Sequence, residues 1–189
     1  MAVAVLIIIG SSFTFWHYLS TYHPPMPVYG NMPYFSLTSQ ENRPVSAHDF
    51  DGKVVIADFI FTSCAGPCPM MSSRMKEIQS DLADDPSIRL VSFSVDPETD
   101  TPPVLAEYAH QYGADNTRWT FLTGDKRTIL GMTKTNFHLA VENDSGAIAH
   151  STKFVLVDKH SNIRGYYDSD EIGSMNKLLA DAKLLAKER

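Results

Sequence analysis

The run Val54–Thr62 reads VVIADFIFT, apolar throughout except for Asp58 and Thr62. Apolar residues without alternation, over that length, describe a strand covered on both faces. Such a strand requires helices above and below its sheet, which places the chain in the α/β class. The stretch that follows, Phe59–Met75, continues FIFTSCAGPCPMMSSRM and contains both cysteines of the chain, Cys64 and Cys68. Pro69 suits the first turn of a helix, where a missing N–H costs nothing. Met71, Met75, Ile78 and Leu82 then recur at helical spacing, so one face of a helix from Pro69 to about Leu82 is buried. The order is strand, turn and helix, with two thiols in the turn.

A helix N-terminus offers unpaired N–H groups and a partial positive charge. On that ground Cys68, and with it Cys64, is expected to ionise more easily than an isolated thiol. Their spacing in a tight turn lets the sulfurs converge, either in a disulfide or jointly on a soft metal. Two buried apolar cysteines are the alternative reading. A Gly-Pro turn flanked by thiols makes poor core material, which argues for function.

The remaining elements follow from periodicity. Tyr34–Leu37 and Pro44–Phe50 read as a small hairpin joined through TSQENR, with a turn at Asp51-Gly52. Arg89–Val95 is a second interior strand ending at Asp96-Pro97. Pro102–Tyr112 is a helix with Val104, Leu105, Tyr108 and Ala109 apolar and Gly113 beyond its end. Trp119–Leu122 is a short strand and Lys126–His138 a helix. Lys153–Val157 and Asn162–Tyr167 are strands joined by DKHSN, and Glu171–Lys187 is the last helix. Asp100 is expected to cap the helix starting near Pro102; Asp96 either begins a turn or steers a partner. A hairpin, alternating strands and helices, and cysteines between the first interior strand and its helix together resemble a thioredoxin-like arrangement.

Charge and the N-terminus limit the role. The chain has 189 residues and a formal net charge of −6, so nucleic-acid binding has no electrostatic support. No charged side chain precedes Glu41, and Ala2–Leu19 is mostly apolar, close to the ~20 residues a spanning helix needs. Trp16, Tyr18 and Tyr22 fall where interfacial aromatics are expected. Residues 1–22 are therefore expected to be an uncleaved membrane anchor, a cleaved signal being the alternative. Residues 23–33, HPPMPVYGNMP, read as an extended linker, and 34–189 as one domain.

A two-thiol metal site is completed well by an imidazole. Of seven histidines, His17, His23, His48, His110, His138 and His160 are simplest as surface or interfacial residues. His150 differs, because it lies just before the strand Lys153–Val157. In a thioredoxin-like sheet that strand runs beside the cysteine-bearing one, and the loop entering it carries a cis-proline against the cysteine turn. No proline occurs here after Pro103, and a histidine stands near that place. This shifts the balance from dithiol exchange towards metal binding.

Three segments, FTSCAGPCP, SVDPETDTP at Ser94–Pro102, and HSTKFVLVD beginning at His150, resemble the Sco/SenC family of copper-binding assembly factors. The likeness covers about Pro33 to Lys183. The resemblance implies a thioredoxin-like fold with an N-terminal hairpin extension and one N-terminal membrane anchor helix, the domain lying on the non-cytoplasmic (periplasmic or equivalent) side. It implies one copper ion, Cu(I) or Cu(II), on Cys64, Cys68 and His150. It also implies assistance in building the dinuclear copper site of cytochrome c oxidase subunit II, as metallochaperone, thiol reductant, or both. An upstream copper donor and a copper recipient are the implied partners. The turn interior Ala65-Gly66-Pro67 departs from the family by lacking the acidic residue many members carry. A thiol–disulfide oxidoreductase would use the same cysteines without His150. A redox sensor would use them without transfer. A peroxidase would need a Thr/Arg constellation, and Arg74 is too far along to supply one.

Overall fold

The computed structural model describes residues 25–139 and 151–188. In chain order the elements are β1 (Gly30–Asn31), β2 (Ser36–Ser39), β3 (Pro44–Ser46), a short 3-10 helix (Ala47–Phe50), β4 (Val54–Ile60), α1 (Cys68–Asp81), β5 (Ile88–Ser94), α2 (Pro102–Tyr112), β6 (Trp119–Thr123), α3 (Lys126–Thr135), β7 (Lys153–Val157), β8 (Asn162–Asp168) and α4 (Ile172–Lys187). The strands form one mixed sheet in the order β1-β8-β7-β4-β5-β6-β2-β3. β4, β5 and β6 are parallel; the other neighbouring pairs are antiparallel.

β4 lies at the centre and is buried at all seven positions, as its unalternating sequence requires. Its side chains divide between two cores because successive residues point to opposite faces. Val54, Ile56 and Ile60 pack with Met71, Met75 and Ile78 of α1, Leu105 and Tyr108 of α2, and Leu178 and Leu185 of α4. Val55, Ala57 and Phe59 pack with Phe35, Phe50, Phe93, Ile129 and Phe137. Alternation puts Asp58 on the first face, under α1 and α2.

The expected hairpin forms as β2 and β3, with Leu37 opposite Val45, and it adds to the parallel core through β2 against β6. α3 ends at Thr135, before His138, where a helix was expected to finish. Phe137 turns fully into the second core, and His138 takes a φ of 51°, outside the helical range. The described part of the proline-rich segment is docked. Tyr29 N–H and Met32 N–H donate to Ile163 O and Ser161 O at 2.9 and 2.8 Å, and Arg164 holds Met26 O and Pro27 O. β1 arises there, and its two residues are too few to carry a periodicity.

Among the described residues no helix is long and apolar enough to cross a membrane. The expected anchor, 1–22, lies outside them.

Candidate functional site

The cysteine turn springs from the C-terminal end of β4. Cys64 N–H donates to Phe61 O at 3.2 Å, and Gly66 N–H donates to the Cys64 sulfur at 3.4 Å. Cys68 is the first residue of α1, with Met71 N–H returning to Pro67 O at 2.9 Å. Both cysteines are thiols rather than a disulfide, and both are buried, at 7% and 1% exposure. The Cys68 thiol lies within hydrogen-bonding reach of Cys64. The spacing has brought the pair together.

The acidity of Cys68 is the reverse of the expectation from the helix N-terminus. The Cys68 thiol is pushed up to about 12, first by burial, then by its hydrogen bond with Cys64, with smaller contributions from the Cys64 and Asp58 charges. Loss of solvation at a sulfur this deeply enclosed outweighs the dipole. A soft cation that binds here must displace a proton that the protein otherwise retains.

Asp58 is fully buried, and neither carboxyl oxygen has a hydrogen-bond partner among the described residues. Its partner across the β4–β5 register is Ser92, whose hydroxyl accepts from Trp119 Nε1 at 2.9 Å. That hydroxyl lowers the carboxyl's pKa somewhat but lies outside normal hydrogen-bond geometry. Burial dominates and pushes Asp58 up to about 7. The sequence showed this residue only as an interruption of an apolar run.

Asp100 does not cap α2. The N-cap is Thr101, without a side-chain cap bond, and Pro102 and Pro103 at the first two positions have no N–H groups to satisfy. The fully buried Asp100 carboxylate instead accepts from Thr62 Oγ1 and Ser94 Oγ, both at 2.5 Å, and from Thr62 N–H at 3.2 Å. Asp96 begins a turn: its carbonyl accepts from Thr99 and Asp100 N–H at 3.1 and 2.9 Å. Beside this cluster an open cleft of about 420 Å³ is lined by Thr62, Pro103, Val104, Glu107, Tyr108 and Gln111.

The third predicted ligand, His150, lies outside the described residues. β7 is antiparallel to β4, so the chain enters it at the end of the sheet where β4 exits into the cysteine turn. Ser151 is the first described residue there; its hydroxyl accepts from Lys153 N–H at 3.3 Å. Among the described residues no group of three histidine, cysteine or carboxylate side chains is placed to hold a metal ion.

Residues 29–186 match the family model described as SCO1/SenC. A SCO1 protein homolog from Bacillus subtilis is 33% identical over 153 residues, covering 79% of each chain. The structure of BsSco, a member of the Sco family of cytochrome c oxidase assembly proteins in which a disulfide switch was identified, superposes with a TM-score of 0.78 at 30% identity, over 87% of this chain and 99% of that one. The copper-bound structure of Bradyrhizobium japonicum ScoI shares the fold, with a TM-score of 0.66 at 20% identity over 82% of this chain and 99% of that one. A match across most of the chain, with the paired thiols set where β4 meets α1, makes this protein a member of the SCO1/SenC family.

Proposed function

We propose that this protein is a copper carrier that binds one copper ion through Cys64, Cys68 and His150 and delivers it during cytochrome c oxidase assembly. The observation that carries this reading is the pair of buried thiols in mutual contact, at the sheet end from which β7 is entered. Thiolates are soft donors suited to Cu(I), and an added imidazole also accommodates Cu(II). Three ligands leave one side open, from which an incoming thiolate of the recipient displaces the protein's own. Oxidation of both thiols to a disulfide removes two electrons and two ligands together, which couples loading to redox state.

The recipient is the dinuclear copper site of cytochrome c oxidase subunit II or another copper protein, and an upstream donor supplies the ion. Residues 1–22 serve as membrane anchor or signal sequence, 23–33 as the linker and 34–189 as the copper-binding domain on the non-cytoplasmic side. Support for the anchor is the uncharged apolar run Ala2–Leu19.

A second reading has an observation of its own. Two thiols already in hydrogen-bond contact also suit a thiol–disulfide oxidoreductase that reduces the cysteines of the recipient site. The readings separate at His150, which the reductase does not need. Copper titration of the reduced chain is expected to give one ion per chain, with affinity falling at least about tenfold in each of Cys64→Ala, Cys68→Ala and His150→Ala. Affinity is also expected to fall as pH falls, because each thiol ligand gives up a proton on binding. Full affinity in His150→Ala, together with full activity in oxidase assembly, would favour the reductase.

A further inference from the structure

We infer that Asp100 is a positioning residue for the Cys64–Cys68 pair, acting through Thr62. The carboxylate is wholly buried, and hydroxyl and amide donors satisfy it. Those donors come from two strands. Thr62 stands two residues beyond β4 and two before Cys64, whereas Ser94 is the last residue of β5 and the register partner of Ile60. Val95 N–H closes the junction onto Ile60 O at 2.9 Å. Asp100 thus fastens the chain, where it enters the cysteine turn, to the rigid parallel core and to the start of α2. Cys68 is held separately, as the first residue of α1. The clamp fixes the chain two residues before Cys64, whose own N–H closes onto Phe61 O at 3.2 Å within the same turn.

A carboxylate suits this better than an amide. Thr62 Oγ1 and Ser94 Oγ donate to different oxygens, Oδ1 and Oδ2. An asparagine presents one oxygen and one NH2, so one of the two hydroxyls must turn round to accept instead of donate, and Thr62 N–H, which reaches both oxygens at 3.2 Å, loses one acceptor. Releasing Thr62 adds motion to the Cys64 side and lowers the effective concentration of one sulfur at the other. Ordering one side chain changes an intramolecular equilibrium by roughly 3- to 10-fold. The assignment deepens the copper-carrier reading and rests on it for the pair's purpose, but its test needs the two thiols alone.

The test is the thiol–disulfide equilibrium of the full chain in glutathione buffer. The two thiols of Cys64 and Cys68 plus oxidised glutathione give the Cys64–Cys68 disulfide plus two reduced glutathiones. Asp100→Asn is expected to lower the equilibrium constant for disulfide formation by about 3- to 10-fold. Thr62→Val, which deletes one donor and keeps the fold's apolar volume, is expected to shift it in the same direction. The double variant is expected to fall no further than the larger single effect, because both break one contact. Should Asp100→Asn fail to fold, Thr62→Val and Ser94→Ala carry the test. A wild-type constant in the folded variants, even with a lowered Tm, would overturn the assignment. Copper affinity indifferent to Cys64, Cys68 and His150, alongside a shifted constant, would overturn the carrier reading while keeping the role of Asp100.

Discussion

A buried carboxyl without a hydrogen-bond partner costs the fold least while it is protonated. Asp58 is such a group, with its pKa raised from an ordinary aspartate value to about 7. In the unfolded chain it ionises near pH 4, whereas in the folded chain it holds its proton until about pH 7. Its contribution is therefore complete below pH 4 and is lost as pH rises through 7, by a few kcal/mol at most. Asp85, Asp115 and Asp125 behave oppositely: neighbouring hydroxyl and amide donors lower their pKa values, so their contribution is lost only as pH falls below the ordinary range. The windows do not overlap. Urea unfolding is expected to show stability falling between pH 4 and 7 in the wild type and a flatter profile in Asp58→Asn. Equal slopes in the two proteins would refute the assignment. The sequence located Asp58 on a central strand but could not show that its oxygens lack partners. For Asp100 the obstacle was distance along the chain. Thr62 is 38 residues away, and only the β4–β5 pairing brings it to the carboxylate.

The elements themselves were legible wherever a run of residues had one clear period. β4, α2 and β7 fall at or within a few residues of where their patterns put them; the hairpin forms, but its first strand is shifted to Ser36–Ser39 and only Pro44–Ser46 of the second segment is strand, Ala47–Phe50 turning as a 3-10 helix. The misreadings share a physical cause, which is that tertiary packing overrode a local signal. The dipole of α1 argued for an acidic Cys68 thiol, and burial reversed it. The pattern of α3 ran on to His138, and the core's demand for Phe137 ended the helix early. Apart from these, the described part of the extended proline-rich segment makes backbone contacts with β8 and Arg164. Gly165 of β8 shows how closely that region is packed. A Cβ there would stand 2.6 Å from Tyr167 Oη and 2.7 Å from its ring. Tyr167 is itself buried and donates to Asp181 of α4 at 2.6 Å. Gly165→Ala is expected to displace that ring, loosen α4 from β8 and reduce unfolding free energy by about 1–3 kcal/mol in denaturant titration. No measurable loss would mean that Tyr167 relocates without strain.

At the scale of the whole molecule, the parallel core carries two sulfurs on one rigid end of the sheet, and the antiparallel return of β7 brings the chain back to that end. Topology thus supplies what no local pattern can, which is that residues 151–153 and the end of β4 lie at the same end of the sheet. The thiol pair was legible because its ligands are neighbours in sequence. The histidine was named by its place before β7 and by the family resemblance, and it lies outside the described residues. The account therefore depends most on all three groups meeting one ion. X-ray absorption spectroscopy of the full chain loaded with one Cu(I) tests this directly. The account predicts two sulfur neighbours and one imidazole nitrogen around copper, with the nitrogen contribution lost in His150→Ala. A shell with no imidazole in the wild type, or one unchanged in His150→Ala, would contradict it.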